Sequence, residues 1–311
     1  MADFEKITER FPEMADFMRA HRSVYHRGEV YAYPADIRAD SFSTDHTGFR
    51  HSTLGGKTFS VADCLTAKRY GLMLGASTNF GFGVAGNENT MASLLAERFG
   101  FPFANVALPG GNSRNLYSTL VALLARSPKR PEIVIHSSGG DLSSFCGSSL
   151  ADSVYGSPNR GQRRWALQDR CRRADPEKNL PKMLAFTQLW STAVINLCRT
   201  NGVPVILMHH GTFFEKSNPT DREKEFRLGE PTGEWGDLEF ANYRRFNGRF
   251  FEHRKTIAER AGIPLAGWGL ADQLTFIDEF HCDREGIKLL SDAVGDTVEQ
   301  ALGTEAPLET V

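Results

Sequence analysis

The sequence is poor in cysteine: its 311 residues carry five, at widely separated positions and without a CxxC pair. An odd number of scattered cysteines argues against a disulfide framework, and the lack of CxxC pairs argues against a structural zinc site. No apolar run approaches the ~20 residues that a membrane-spanning helix needs. Charged residues also interrupt the first positions of the chain, where a secretory signal needs an apolar core. We therefore expect a cytoplasmic protein with reduced thiols and no membrane contact.

An excess of one charge sign is also lacking. Lys and Arg number 36 and Asp and Glu 38, which gives a net charge of −2. A balanced charge does not favour nucleic acid as a partner. No GxGxxG fingerprint lies between a strand and a helix, so a dinucleotide cofactor is not indicated, and we expect no cofactor at all. With 41% hydrophobic residues the chain can form a sizeable core, and a small molecule is the expected partner.

From about Lys68 onward, short apolar runs alternate with longer amphipathic segments, a pattern that predicts βα units around a mostly parallel sheet. The runs predicted as strands are Tyr70–Leu74, Asn105–Leu108, Glu132–His136, Val203–His209 and Ile263–Ala266. The segments predicted as helices are Thr90–Arg98, Arg114–Arg126, Lys182–Arg199, Phe240–Ala261 and Arg284–Leu302. This order predicts an α/β protein with a flavodoxin-like three-layer αβα sandwich and a mostly parallel five-stranded sheet.

Shorter segments flank and interrupt the predicted main domain. The predicted parts are an N-terminal extension packed on the main domain at 1–60, the main α/β domain at 61–305, insertions near the site at 143–180 and 211–239, and a tail at 306–311. The extension contains a predicted helix at Phe4–His21. The first insertion carries several arginines between Arg160 and Arg173, which indicate either an anionic substrate or a solvated helix face.

Two short motifs could carry nucleophilic catalysis. Ser77 follows the first apolar strand, where backbone N–H groups and a helix N-terminus can stabilise a developing anion. Asp278 and His281 lie three positions apart before the last helix, a spacing at which the carboxylate could accept the Nδ1–H of the imidazole. The Nε2 atom would then be a general base. Each motif alone is also typical of an ordinary turn or helix cap.

Two further turns of small residues follow the second and third strands. They read Leu108-Pro109-Gly110-Gly111-Asn112 and Ser138-Gly139-Gly140-Asp141. With Gly75-Ala76-Ser77 and the DxxH pair Asp278 and His281, these turns resemble the motif set of the SGNH (GDSL-type) hydrolase superfamily in order and spacing. A DxxGFR stretch, Asp45 to Arg50, is similar to one that precedes the catalytic domain in some bacterial members. The resemblance covers roughly residues 45–302.

The resemblance implies the SGNH hydrolase fold and a serine esterase or acyl hydrolase that works through an acyl-enzyme. Ser77 would be the nucleophile, His281 the base and Asp278 the residue that orients the base. The N–H groups of Ser77 and Gly110 would bind the oxyanion. The positions expected to bind the oxyanion or the substrate are Gly110, Gly111, Asn112, Gly140 and Asn79. The substrate would be an acyl ester or a related acyl donor.

Two positions depart from the family pattern. Ala76 stands where the family has an Asp, and Gly140 stands where it has an Asn that donates to the oxyanion. Loss of one such donor costs about 10²- to 10³-fold in rate in well-studied hydrolases. We expect Asn79, Asn112 or Asn115 to supply the donor instead. The alternative is a site that binds its ligand without turnover.

Other interpretations remain open at this point. An acyltransferase would use the same Ser77, Asp278 and His281 with an acceptor other than water. His209 and His210 follow the fourth strand and could bind a metal, but adjacent residues leave a strand end in different directions, so no metal is expected. Cys146 lacks a nearby His, so the pattern favours a buried apolar role for it.

Overall fold

The computed structural model of the protein describes residues 12, 14–21, 25–27, 30–137, 140–141, 176–221, 223, 234–278 and 280–303. Much of both predicted insertions, the arginines between Arg160 and Arg173, Cys146, and the tail at 306–311 lie outside the described residues. Of the turn Ser138-Gly139-Gly140-Asp141, the structure describes Gly140 and Asp141.

The central sheet has five strands, and all of its pairings are parallel. Its strands are β5 (Gly71–Leu74), β6 (Phe103–Asn105), β7 (Ile133–His136), β8 (Val205–Met208) and β9 (Leu265–Ala266). They lie in the order β6-β5-β7-β8-β9, so the first strand of this sheet is flanked by the second and the third. This order is the flavodoxin-like one, and it places a crevice where the chain reverses direction across the sheet. The predicted fold class is confirmed.

The second strand of this sheet begins two residues earlier than predicted. Its predicted range began at Asn105, whereas β6 pairs with β5 from Phe103 to Asn105. The run from Val106 to Leu108 is equally buried, so hydrophobicity alone could not locate the strand end. This run continues along the sheet edge without strand geometry, and the N–H of Leu108 still donates to the oxygen of Gly75 at 2.8 Å.

Helices cover both faces of the sheet. They are α2 (Val61–Thr66), α3 (Ser77–Phe80), α4 (Met91–Phe99), α5 (Ser113–Arg126), α6 (Pro176–Thr200), α7 (Glu234–Ala261) and α8 (Arg284–Gly303), after α1 (Met14–His21) in the N-terminal segment. One face packs on α4 and α8, whose Leu95 and Leu290 are fully buried. The other face packs on α2, α5, α6 and α7. None of the described helices is long and apolar enough to cross a membrane.

The N-terminal segment adds two short antiparallel hairpins to α1. They are formed by β1 (Tyr25–Arg27) with β2 (Val30–Ala32) and by β3 (Ser52–Leu54) with β4 (Lys57–Phe59). Aromatic side chains of this segment pack against the residues that follow β5: the ring centroid of Phe17 lies 5.3 Å from that of Phe82, and the centroid of Tyr33 lies 4.8 Å from that of Phe80. The segment therefore packs beside the end of the sheet that carries the predicted site.

Candidate active site

Three strand ends lie side by side at the carboxyl edge of the sheet. The N–H of Leu108 donates to the oxygen of Gly75, and the N–H of Ser137 donates to the oxygen of Leu74 at 2.9 Å. Ser77 lies two residues beyond Gly75, and Gly110 lies two residues beyond Leu108. The three predicted motifs that follow the first three strands therefore share one edge, which is where open α/β sheets bind ligands.

Ser77 is the first residue of the short helix α3, which Ala76 precedes in an extended conformation. Because the first N–H groups of a helix have no partner inside it, the N–H of Ser77 can serve a ligand. The helix ends at Gly81, whose φ of +82° is a left-handed conformation that favours glycine. Directly after this turn the N–H of Phe82 donates to the oxygen of Ser77 at 3.0 Å. The serine thus lies at the start of a tight turn that is closed by hydrogen bonds from its last residues to the oxygen of Ser77.

Asp278 and His281 lie in a tight loop before α8. Asp278 Oδ2 is 2.5 Å from His281 Nδ1, and Asp278 Oδ1 accepts the N–H groups of Phe280 at 2.8 Å and His281 at 2.7 Å. The N–H of Ile277 closes the loop on the oxygen of His281 at 2.8 Å. The carboxylate therefore binds both the backbone and the ring of the same histidine.

His281 also contacts the serine. Its Nε2 is 2.6 Å from Ser77 Oγ. An ionised carboxylate can only accept, so the Nδ1 atom that faces Asp278 carries the proton, and Nε2 is free to accept the Ser77 hydroxyl proton. The side chains of His281 and Asp278 are 12% and 20% exposed, so the pair is accessible from solvent. The Phe82 ring lies 4.9 Å from the imidazole and packs along it.

The charge on Asp278 is maintained by its neighbours. Burial alone would raise the pKa of this carboxyl, but the His281 ring and the N–H groups of Phe280 and His281 lower it below its ordinary value. Asp278 is therefore ionised at neutral pH. An ionised Asp278 can hold His281 in one tautomer and stabilise it when it takes up a proton.

Of the predicted oxyanion and substrate residues, Gly110, Gly111 and Asn112 follow β6 beside this edge. Asn112 is the N-cap of α5: its side chain accepts the N–H of Asn115 at 3.1 Å, and Asn115 Oδ1 accepts the N–H of Asn112 at 3.0 Å. This capping box occupies the side-chain oxygens of both residues. It also fixes the backbone that follows Gly110.

Gly140 lies directly against the second glycine turn. A Cβ atom at this position would lie 1.7 Å from the oxygen of Gly111. The backbone of Gly111 leaves no room for a side chain at this position, and therefore none for the Asn of the SGNH motif pattern. The neighbouring Asp141 is fully buried and accepts the Ser113 N–H at 2.6 Å and the Thr187 hydroxyl at 2.7 Å. Burial raises the pKa of Asp141, although these hydrogen bonds oppose the shift. The third motif thus joins α5 to α6.

Asn79 lies beneath the serine turn, which differs from the expected position. It is 1% exposed, and its Nδ2 is 3.3 Å from the sulfur of Met208 in the core. A Cβ atom on Gly75 would lie 2.2 Å from Asn79 Oδ1, so the amide packs on the backbone of the first strand end. Residue 79 is two positions beyond Ser77 on a helical turn, which directs it away from the face of Ser77.

The two adjacent histidines after β8 differ in their contacts. His209 Nε2 is 2.7 Å from Glu215 Oε2, and the Phe251 ring packs 4.1 Å from the His209 ring. His210 is 3% exposed, and burial together with the charges of His209, Arg254 and His281 lowers its pKa well below the ordinary value. Within the described part of the chain, no three His, Cys, Asp or Glu side chains are placed to hold a metal ion.

A buried ion pair supports the Asp278 loop, and sequence reasoning did not identify it. Lys216 Nζ is 2.8 Å from Glu223 Oε1 and also donates to the oxygen of Leu274, while Glu223 accepts the N–H of Phe276 at 2.9 Å. Both charged side chains are almost fully buried. The two residues lie in a polar stretch that has no periodicity, so no sequence signal pairs them with the loop.

No protein-family model and no curated protein matches the sequence. Several solved structures are similar at low identity. A carbohydrate acetylesterase family member from Sinorhizobium meliloti is 13% identical with a TM-score of 0.47, over 76% of this chain and 99% of its own. Phospholipase A1 from Streptomyces albidoflavus is 13% identical with a TM-score of 0.46, over 76% of this chain and 100% of its own. Esterase EstA from Pseudoalteromonas is 15% identical with a TM-score of 0.42, over 76% of this chain and 100% of its own.

The fold is identified from the chain's own arrangement. The five parallel strands lie in the flavodoxin-like order, Ser77 follows the first of them, and the DxxH pair precedes the last helix. These are the features that the motif resemblance implied. The chain has the three-layer fold of the SGNH (GDSL-type) hydrolases.

Proposed function

We propose that the protein is a serine hydrolase that cleaves acyl esters through a covalent acyl-enzyme on Ser77. The observation that carries the proposal is the continuous hydrogen-bonded chain from Ser77 Oγ to His281 Nε2 and from His281 Nδ1 to Asp278 Oδ2. A nucleophile, a base and a residue that orients the base are the three parts that nucleophilic acyl transfer needs.

The reaction would run in two halves. The Ser77 Oγ attacks the ester carbonyl carbon while His281 Nε2 takes the hydroxyl proton. The tetrahedral intermediate then expels the alcohol, which receives that proton from His281. A water molecule next attacks the acyl-enzyme as His281 takes its proton, and the carboxylic acid leaves as Ser77 is regenerated. Asp278 remains ionised throughout and stabilises the imidazolium.

The oxyanion would be bound by backbone donors. The N–H of Ser77 lies at the first position of α3, and the N–H of Gly110 follows the neighbouring strand, so both are candidates at one edge. Gly140 supplies no side-chain donor, and Asn79 is buried below the turn. Asn112 remains the expected side chain for this role, since it lies beside Gly110 and its Nδ2 is not the group that caps α5.

The substrate would be a small acyl ester with an apolar part near the base. The Phe82 ring lies 4.9 Å from the His281 ring, and the ring of Phe280, the residue before His281, lies 5.9 Å from that of Phe214. Aromatic rings favour apolar groups over charged ones. The named activities of the similar structures, an acetylesterase, a phospholipase and an esterase, fall within the same ester class.

A fluorophosphonate probe tests the proposal. We expect it to label wild-type protein on Ser77, and the Ser77→Ala and His281→Ala variants to lose both labelling and hydrolysis of p-nitrophenyl acetate. Ser217→Ala, which changes an exposed serine elsewhere, is the matched control and should keep both activities. Folded wild-type protein that neither reacts with the probe nor hydrolyses the ester would overturn the proposal.

The same acyl-enzyme could pass its acyl group to an alcohol instead of water, which is the acyltransferase alternative. Adding a primary alcohol during turnover separates the two reactions, because transfer forms a new ester and hydrolysis forms the acid. We expect the acid to be the main product. A new ester as the main product at low alcohol concentration would assign the transferase reaction.

A further inference from the structure

Arg50, the last residue of the DxxGFR stretch, is 1% exposed and lies against the turn that carries Ser77. Its guanidinium donates to backbone oxygens on that turn, on the loop after it and at Ser41 in the N-terminal segment. The bonds run from Nη1 to Gly81 at 2.6 Å and Phe80 at 3.3 Å, and from Nη2 to Val84 at 2.8 Å, Gly86 at 2.9 Å and Ser41 at 3.3 Å. The remaining nitrogen, Nε, donates to Asn87 Oδ1 at 3.0 Å.

The bonded oxygens belong to the end of the helix that Ser77 begins. Phe80 is the last residue of α3 and Gly81 follows it. A side chain at Gly81 would not leave room for the guanidinium, since a Cβ atom there would lie 2.9 Å from Arg50 Nη1. The serine turn is therefore held on two sides. The N–H groups of Gly81 and Phe82 bind the oxygen of Ser77 from within, and Arg50 binds the next oxygens from outside.

The partners of Arg50 are unusual for a buried cation. Among the described residues, each of its hydrogen-bond acceptors is a backbone or amide oxygen, and none is a carboxylate. Burial lowers its pKa to about 9, so the group is still charged at neutral pH. The rings of Phe17, Phe42 and Phe80 lie 5.3 to 5.8 Å from its central carbon. A cation placed at the carbonyl end of a helical turn is stabilised there and makes strong, charge-assisted bonds.

The first part of the stretch fixes the approach of Arg50. Asp45 Oδ1 accepts the N–H of Thr47 at 2.8 Å and the N–H of Phe49 at 3.2 Å, and Asp45 Oδ2 accepts the N–H of Val61 at 3.1 Å. The carboxylate thus folds the stretch into a loop and joins it to the start of α2. These bonds of Asp45 fix the backbone next to Arg50, and so fix the point from which its side chain extends to the serine turn.

We propose that Arg50 is a positioning residue for Ser77, which sets the hydroxyl oxygen at hydrogen-bond distance from His281 by fixing the turn and the Phe82 ring that packs on the imidazole. The inference rests on the proposed function of Ser77 as nucleophile. A displacement of about 1 Å at a reacting group can cost on the order of 10²-fold in rate. Loss of Arg50 should therefore slow the attack of Ser77 more than it weakens binding of the substrate.

The test compares the rate constant for fluorophosphonate inactivation with the half-saturating probe concentration. Arg50→Lys keeps the charge but has a single nitrogen in place of the guanidinium fork. We expect its inactivation rate constant to fall about 10- to 100-fold per folded molecule, in line with a turn displaced by about 1 Å, with the half-saturating concentration nearly unchanged. Asn87→Ala removes the acceptor of Nε together with the two hydrogen bonds between Asn87 and Ser43, and it leaves the five bonds of the Nη atoms in place. We expect a smaller fall in the same rate constant. It serves as the test variant should Arg50→Lys fail to fold.

Leu120→Ala is the control for lost stability, because Leu120 is fully buried in the core between the sheet and α5. We expect this variant to lower the melting temperature while it keeps the wild-type inactivation rate constant. A rate constant that is unchanged in the Arg50 and Asn87 variants, or that falls equally in Leu120→Ala, would overturn the positioning role while Ser77 remains the nucleophile. Wild-type protein that does not react would instead overturn the proposed function.

Discussion

The Oγ of Ser77 lies 2.6 Å from the Nε2 of His281, although 204 positions separate the two residues in the chain. The serine lies at the end of the first strand of the sheet, and the histidine lies just before the last helix. Because this contact is made across the fold, each side depends on the residues that hold its own loop.

Replacement of Asp278 by Asn should remove most of the esterase activity without unfolding the protein. An amide can donate to Nδ1 and so favours the tautomer in which Nε2 carries the proton, which cannot accept the serine proton. We expect kcat to fall by on the order of 10³- to 10⁴-fold, as it does in well-studied serine hydrolases. Steady-state hydrolysis of p-nitrophenyl acetate measures the change.

Asp283→Asn is the matched control for that variant. Asp283 lies in the same loop and accepts the N–H of Gly286 at 2.9 Å at the start of α8, without contact to the His281 ring. We expect a small loss of stability and an unchanged kcat. If Asp278→Asn and Asp283→Asn lowered kcat equally, the role of Asp278 as the orienting group would be wrong.

Introducing at position 140 the Asn that SGNH hydrolases carry in their third motif should destabilise the protein. The Cβ of any residue there would lie 1.7 Å from the Gly111 oxygen, so the second glycine turn must move. We expect Gly140→Ala to destabilise the fold by about 1–3 kcal/mol, the usual cost of overpacking, and Gly140→Asn to lower the rate of ester hydrolysis. Urea unfolding and esterase assays measure the two effects.

Gly248→Ala gives the opposite result from the same kind of change. Gly248 lies inside α7, and a Cβ atom there would have no neighbouring atom within 4 Å, so the substitution meets open space. Alanine in a helix interior is favoured over glycine by about 0.5–1 kcal/mol. A Gly140→Ala variant as stable as Gly248→Ala would contradict the close packing of the two glycine turns.

Replacing one member of the buried ion pair of Lys216 and Glu223 should lower the free energy of unfolding more than replacing both. Burial alone would raise the pKa of Glu223, but Lys216 and the N–H groups around the carboxylate lower it below its ordinary value. Lys216→Met leaves a buried carboxylate without its cation, and we expect a loss of about 3–5 kcal/mol. The double variant Lys216→Met with Glu223→Gln should recover part of that loss. Urea unfolding of the four proteins gives the coupling energy, and strictly additive losses would argue against the pair.

Acid should destabilise the protein partly through His136. Burial and the nearby Arg254 lower the pKa of this buried imidazole to about 3. In the unfolded chain its pKa returns to about 6.5, so below that pH the unfolded state binds more protons. The contribution of His136 to the free energy of unfolding is therefore fully present above pH ~6.5. It falls as the pH drops toward 3, by up to about 1.4 kcal/mol per pH unit. Urea unfolding at pH 7.5 and 5 should show a flatter dependence in His136→Gln, and an unchanged slope would count against a neutral buried His136.

Sequence patterns located the parts of the site that are local in the chain. Ser77 follows an apolar strand directly, and Asp278 and His281 lie three positions apart, so short windows contain them. The misplaced boundary of β6 has a different cause: Val106 is as buried as Phe103, and only pairing with β5 decides where the strand ends. The buried position of Asn79 could not be read from the sequence for a related reason: on a helical turn each step along the chain moves the side chain to another face, so proximity to Ser77 in the sequence does not place Asn79 beside it.

Contacts between distant segments could not be predicted from the pattern. Lys216 and Glu223 are ordinary surface residue types, and their burial follows from the way the loop after β8 packs under Leu274 and Phe276. The exclusion of a side chain at Gly140 likewise depends on the approach of Gly111, 29 positions earlier in the chain. Such contacts are visible only in the folded structure, because no periodicity or spacing in the sequence encodes them.

Because aromatic side chains of the N-terminal segment pack around Phe80, the boundary between that segment and the main domain is a poor place to divide the chain. A protein that began at Val61 would retain the strands together with Ser77, Asp278 and His281. It would lack the rings of Phe17 and Tyr33 and the guanidinium of Arg50, and the Phe80 ring, three positions after Ser77, would lose the side chains that cover it. A chimaera that transfers this fold to another protein must therefore include the N-terminal segment as well as the three-layer αβα domain.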